Sequence, residues 1–133
     1  MFSPADYRPS AELPDEEYPF VLSTGRCYFH FHTGTMTRRS CLLDREERFP
    51  YVELSPEDAK KLMIRDREQI SVATRRGEVK AMARVTDVAM PGVLFMPFHF
   101  HEGAANVLTN NALDPEAKIP EYKVCAAKVR KET

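Results

Sequence analysis

The chain has 133 residues, of which 43% are hydrophobic and 29% charged, with a formal net charge of -1. That length holds one domain around a single core and is too short for two ordinary ones. The near-zero charge excludes a general pull toward nucleic acid or anionic lipid, so any basic site must be local, and no apolar run approaches the roughly 20 residues that span a bilayer.

The N-terminus, "MFSPADYRPSAELPDEEYPF", lacks the positive start and apolar core of a secretion signal, and a cytoplasmic location is expected. Residues 1–18, where Pro4, Pro9 and Pro14 interrupt a polar, acidic run, read as a linker-like extended segment; residues 19–133 read as the folded domain. Cys27, Cys41 and Cys125 are an odd number without CxxC spacing, which argues for reduced thiols rather than a disulfide framework or a zinc ribbon.

From Pro19, "FVLSTGR" is a short β-prone run that stops at Gly25. The following "CYFHFHT" alternates aromatics with histidines near period two, which predicts a second strand or one strand bent at Gly25. In "LSPEDAKKLMI", Ser55 is a helix cap, Pro56 suits the first helical position and Asp58 the third. "QISVATRRGEVKAMARVTD" has the pattern of a hairpin turning at Gly77. A turn at Pro91 and Gly92 leads into the buried-strand candidate "VLFMPF", with Pro97 at its end. "HFHEGAANVLTNNALDP" predicts a loop around a helical turn from about Ala104 to Leu108, and "YKVCAAKVR" a final strand. Six or seven short strands with one or two helices and no βαβ alternation make the chain mainly β, a closed barrel with long functional loops.

Polar side chains concentrate in these loops. His30 with His32, and His99 with His101 beside Glu102, are two HxH pairs; on a strand each pair would share a face and could chelate a metal. This supports one alternative, a freestanding small metal-binding β-barrel enzyme; the plain alternative is half-buried, hydrogen-bonding histidines. Gly25 and Gly34 permit close backbone approach, Thr24, Thr33, Thr35 and Thr37 add hydroxyls, and Arg26, Arg38 and Arg39 are forked donors suited to phosphate. Asn106, Thr109, Asn110 and Asn111 offer amide and hydroxyl groups to a heterocycle edge, though asparagine also favours turns. Tyr122 and Lys123 place a phenol and an ammonium side by side. No nucleophile elbow accompanies Ser23, Ser40 or the cysteines, so no catalytic residue is assigned. A third reading is an interaction module built on an exposed "VLFMPFHF".

Six blocks, "LSTGRCYFHFHTGTMTRRS", "PYVELSPEDAKKL", "RRGEVKAMARVTD", "PGVLFMPFHF", "AANVLTN" and "IPEYKVCAAKV", occur in order from about Tyr18 to Val129. Together they resemble the C-terminal molybdopterin dinucleotide-binding domain of the dimethyl sulfoxide reductase superfamily, closest to formate dehydrogenase catalytic (alpha) subunits. The resemblance implies a double-psi β-barrel that closes over a molybdenum or tungsten cofactor carrying two pterin guanine dinucleotides. It implies that Thr24, Gly25, Arg26, His32 and Thr35 cradle pterin and pyrophosphate with His30 nearby. By the same likeness His99, Asn106 and Thr109 line the cofactor from the other side, and Tyr122 with Lys123 hold a pterin or phosphate group. The family's metal ligand and iron-sulfur cysteines lie in other domains, so the remaining domains or a large catalytic subunit are the expected partners, and no metal ligand is assigned here. Where the family usually reads "LGIxDGDxV", this chain has "LMIRDREQI", so Met63, Arg65 and Arg67 replace permissive positions and a differently built turn is expected there.

Overall fold

In the first strand, β1 (Phe20–Gly25), buried Phe20, Leu22 and Thr24 alternate with the less buried Val21 and Ser23, the period-two signature of a strand with one face in a core. The computed structural model describes residues 2–4 and 6–132; residues 1, 5 and 133 of the two expected segments lie outside the described residues. After β1 come helix α1 (Cys41–Glu46), β2 (Tyr51–Leu54), α2 (Pro56–Lys61), β3 (Gln69–Ala73), β4 (Glu78–Val85), β5 (Val93–Pro97) and β6 (Cys125–Lys131). The six strands close into one barrel in the order β1-β5-β2-β4-β3-β6. Two pairs are parallel, β1 with β5 and β2 with β4, and the other four contacts are antiparallel. Leu22, Val52, Leu54, Ile70, Val72, Leu94 and Met96, all fully buried, fill the interior.

The capped helix and the hairpin form as expected. Ser55 Oγ accepts the Asp58 amide at 3.1 Å, and β3 pairs with β4 from Gln69↔Met82 to Ala73↔Glu78. Asp58 does not reach back to the Ser55 amide. Its carboxylate accepts instead from the Ser55 hydroxyl and the Gly92 amide, both at 2.7 Å, which ties α2 to the turn that feeds β5. The expected helical turn is a 3-10 turn at Ala105–Val107.

Four expectations change. "CYFHFHT" is not a strand: His32 and Gly34 take φ of 50° and 73°, and the Gly34 amide donates back to the Phe31 carbonyl, so turns replace extension. β2 and α1 lacked a clear sequence signal. The last strand starts only at Cys125, because the Tyr122 carbonyl accepts from the Thr24 hydroxyl at 2.8 Å while the Lys123 ammonium donates to the Thr24 carbonyl. "VLFMPFHF" is no exposed patch, since Leu94, Met96 and Phe100 lie in the core. At the "LMIRDREQI" turn, Met63 and Arg67 themselves take φ of 55° and 62°, so non-glycine residues adopt the left-handed conformation that glycine favours.

Register fixes which loops meet. β1 runs parallel to β5, so the residues after Gly25 and after Pro97 leave the barrel at the same end, and the loops 26–50 and 98–124 gather there. The β3–β4 turn joins them: a Cβ at Gly77 would stand 2.6 Å from Val107.

Candidate functional site

Two cavities open at the loop end. The larger, about 650 Å³, is lined by Thr24, Arg26, His32, Thr33, Phe98, Asn106, Tyr122 and Lys123. Six of the eleven expected site residues therefore meet in one concavity, although they come from positions 24 to 123. Arg26 and Lys123 are its cations. Lys123 is held by its bond to the Thr24 carbonyl, and Arg26 reaches the exposed His32 ring at 3.4 Å. Thr109 lies outside this lining and donates to the Asn106 carbonyl at 3.1 Å, which supports the turn that carries Asn106. Gly25 is not part of the lining: a Cβ there would meet the Phe95 ring at 2.5 Å, so in this structure its small size accommodates Phe95.

The smaller cavity, about 420 Å³, is lined by Thr33, Gly34, Thr35, Arg38, Arg39, Asp44, His99 and His101. Thr33 belongs to both cavities. The expected residues Thr35 and His99 are on this side, and His30 stacks behind His99 with ring centroids 4.4 Å apart and planes inclined by 22°. Both rings are buried, at 4% and 3% exposure. Thr37 Oγ accepts the Phe31 amide at 3.2 Å and lies 3.0 Å from His30 Nδ1. His30 Nε2 and both ring nitrogens of His99 are the buried side-chain polar atoms without a partner among the described residues. Burial, with the neighbouring His30 and Arg38, pushes His99 down to about 4, so at neutral pH it presents one donor and one acceptor.

The structure engages Arg38 differently from the phosphate-donor reading. Its guanidinium grips both oxygens of Glu102 at 2.7 and 2.9 Å and donates to Asp44 at 3.2 Å. The Arg38 fork holds the Glu102 carboxyl down to about 2. Among the described residues Arg39 makes no ion pair. The HxH pairs do not act as chelating pairs: His30 stacks on His99, while His32 turns to Arg26 and His101 to Arg38 at 3.1 Å. No group of three or more metal-ligating side chains occurs among the described residues. Thr33, one of the four threonine hydroxyls expected beside a phosphate, lines the larger cavity as well, whereas Phe98 carried no signal beyond its position within the quoted blocks.

A closed barrel with cations, an amide edge and the neutral imidazole of His99 gathered at one end defines a binding module for a large polar ligand. The chain belongs to the family described as Molydopterin dinucleotide binding domain, which matches residues 20–126. It is 55% identical over 128 residues to the F420-dependent formate dehydrogenase subunit alpha of Methanocaldococcus jannaschii, covering 96% of this chain and 19% of that protein. Against a nitrate reductase of Symbiobacterium thermophilum it is 45% identical, covering 94% of this chain and 17% of that protein. The fold matches acetylene hydratase from Pelobacter acetylenicus with a TM-score of 0.78 at 22% identity, over 87% of this chain and 19% of that one. The chain thus spans about a fifth of the length of the relatives it matches.

Proposed function

We propose that this chain is the part of a formate dehydrogenase-type molybdenum or tungsten oxidoreductase that binds its molybdopterin guanine dinucleotide cofactor, with the remaining polypeptide as its partner. One observation carries the reading: Arg26 and Lys123, 97 positions apart in the sequence, line one cavity with Asn106 and Tyr122. Arg26 and Lys123 offer positive charge to a pyrophosphate, and the side-chain amide of Asn106 offers both a donor and an acceptor to a heterocycle edge. In the smaller cavity His99, neutral and without a hydrogen-bond partner among the described residues, presents a donor and an acceptor of its own beside Thr35, which suits a pterin edge better than a free anion. When bound, the cofactor supplies the oxidation and reduction; the residues of this chain bind it, orient it and exclude water. The barrel is read as double-psi, supported by its two parallel pairs joined through the antiparallel β2–β5 contact. Three free cysteines, one of them exposed, suit a reducing compartment, and the proposal includes a cytoplasmic location.

Titration of the isotope-labelled 133-residue chain with guanosine diphosphate tests the reading by amide NMR. Saturable shifts at Arg26, Asn106 and Lys123 in the millimolar range are expected, because a nucleotide fragment makes only part of the contacts. Shifts confined to other parts of the barrel would overturn the assignment.

A further inference from the structure

The acidic segment before the barrel makes contacts that a passive tether does not need. Glu12, with a side chain only 14% exposed, accepts from the Ala126 amide of β6 and from Arg75, each at 3.0 Å, and from Arg76. Arg76 does not stop at this pair. Its other terminal nitrogen donates to the Leu108 carbonyl at 2.9 Å. Leu108 is fully buried and closes the Ala105–Val107 turn, the turn that holds Asn106 at the larger cavity. One carboxylate therefore sets a guanidinium, and that guanidinium satisfies a carbonyl of the loop that frames the cavity. A second tie runs in parallel: the Ala11 amide donates to Glu121 at 3.2 Å, immediately before Tyr122 and Lys123. Other contacts hold the same segment without touching that loop. Asp15 pairs with Arg75, and the Tyr18 ring packs against Arg75 at 4.6 Å and Lys128 at 4.4 Å.

We propose that Glu12 is a positioning residue for the larger cavity, acting through Arg76 on the turn that presents Asn106, so that residues 11 and 12 are a working part of the binding site. The coupling stands on these contacts alone; its meaning for cofactor binding rests on the reading given above. The chemistry favours it. A buried or half-buried charge pair removed on one side leaves the other charge uncompensated, and Arg76 without Glu12 has reason to leave Leu108.

The test uses the 133-residue chain with Glu12→Gln and, as control, Asp15→Asn, which loosens the same segment but contacts nothing between residues 105 and 124. Glu12→Gln is expected to speed amide hydrogen exchange at Val107 and Leu108 about tenfold. It is also expected to weaken guanosine diphosphate binding, read from the Asn106 shift, by about fivefold. Asp15→Asn should change neither, although it lowers the unfolding midpoint. If Glu12→Gln fails to fold, Arg76→Lys, which keeps the charge but cannot bridge Glu12 and Leu108 with one planar fork, should give the same exchange signature. Equal responses to the Glu12 and Asp15 changes, or none to either, overturn the proposal. If the unaltered chain shows no shift at Asn106 or Lys123 with the nucleotide, the cavity reading fails, while the exchange comparison still decides the coupling.

Discussion

At the end of the barrel where β2 gives way to α2, the polar groups are paired. The buried Asp58 carboxylate accepts two hydrogen bonds, Ser55 caps the helix, and the Val21 amide reaches the Gly92 carbonyl. At the opposite end, where the loops 26–50 and 98–124 gather, three ring nitrogens of His30 and His99 are buried without partners among the described residues, next to two open cavities. An unpaired buried polar atom costs about 1–3 kcal/mol, so a sequence selected only for folding would not keep three of them together. The difference separates what holds the barrel shut from what leaves it ready to take something in.

The largest effect expected from this contrast is a pH dependence. His99 is pushed from its usual 6.5 down to about 4 in the folded chain. Between those values the unfolded chain takes up a proton that the folded chain refuses. The stability this neutral burial contributes is therefore fully present above 6.5, declines as pH falls from 6.5 toward 4, and levels off below. The full swing is on the order of 3 kcal/mol. Urea unfolding at a series of pH values should show that decline, and His99→Gln should flatten it. An unchanged slope in the variant would mean that His99 is not the group responsible. Next in size is the closed end: Asp58→Ala leaves the Gly92 amide and the Ser55 hydroxyl without their acceptor, at a cost of about 2 kcal/mol in urea unfolding. The backbone NMR signals of Arg26 and Lys123 should stay in place, because this change lies at the other end of the barrel. Their movement would show that the two ends are not separable.

Local signals were the legible ones. Ser55-Pro56 at the closed end and the alternation of the strands on either side of Gly77 survive into the structure because nothing distant competes with them. The loop end was legible in its residue types but not in its geometry. Alternating aromatics and histidines after Arg26 imitate a strand, yet one left-handed residue at His32 breaks the alternation of faces on which the HxH argument depends. Arg38 shows the same limit. Its suitability for phosphate follows from its chemistry, but its engagement by Glu102, 64 positions away, is a long-range fact that no local pattern records. The six-block resemblance supplied what periodicity could not, bringing Arg26, Asn106 and Lys123 into one list before any contact joined them.

The smallest expected effect compares the ends through a feature they share. Met63, with an exposed side chain, and His32 both hold a positive φ, at 55° and 50°. For a side chain bearing a Cβ, that conformation costs roughly 1 kcal/mol, part of which glycine forfeits through its freer unfolded chain. Met63→Gly and His32→Gly should therefore each raise stability by about 0.5 kcal/mol, visible as a small upward shift of the urea midpoint. Their consequences then diverge. Met63 faces neither cavity, so its change should leave guanosine diphosphate binding untouched, whereas His32 lines the larger cavity and orients Arg26, so its change should weaken binding as it stabilises the fold. Strain kept at a residue whose side chain contacts no cavity is tolerated; strain kept at a residue whose relief loosens ligand binding is retained for function. Equal binding by both variants would remove that distinction, and with it the case that His32 belongs to the site.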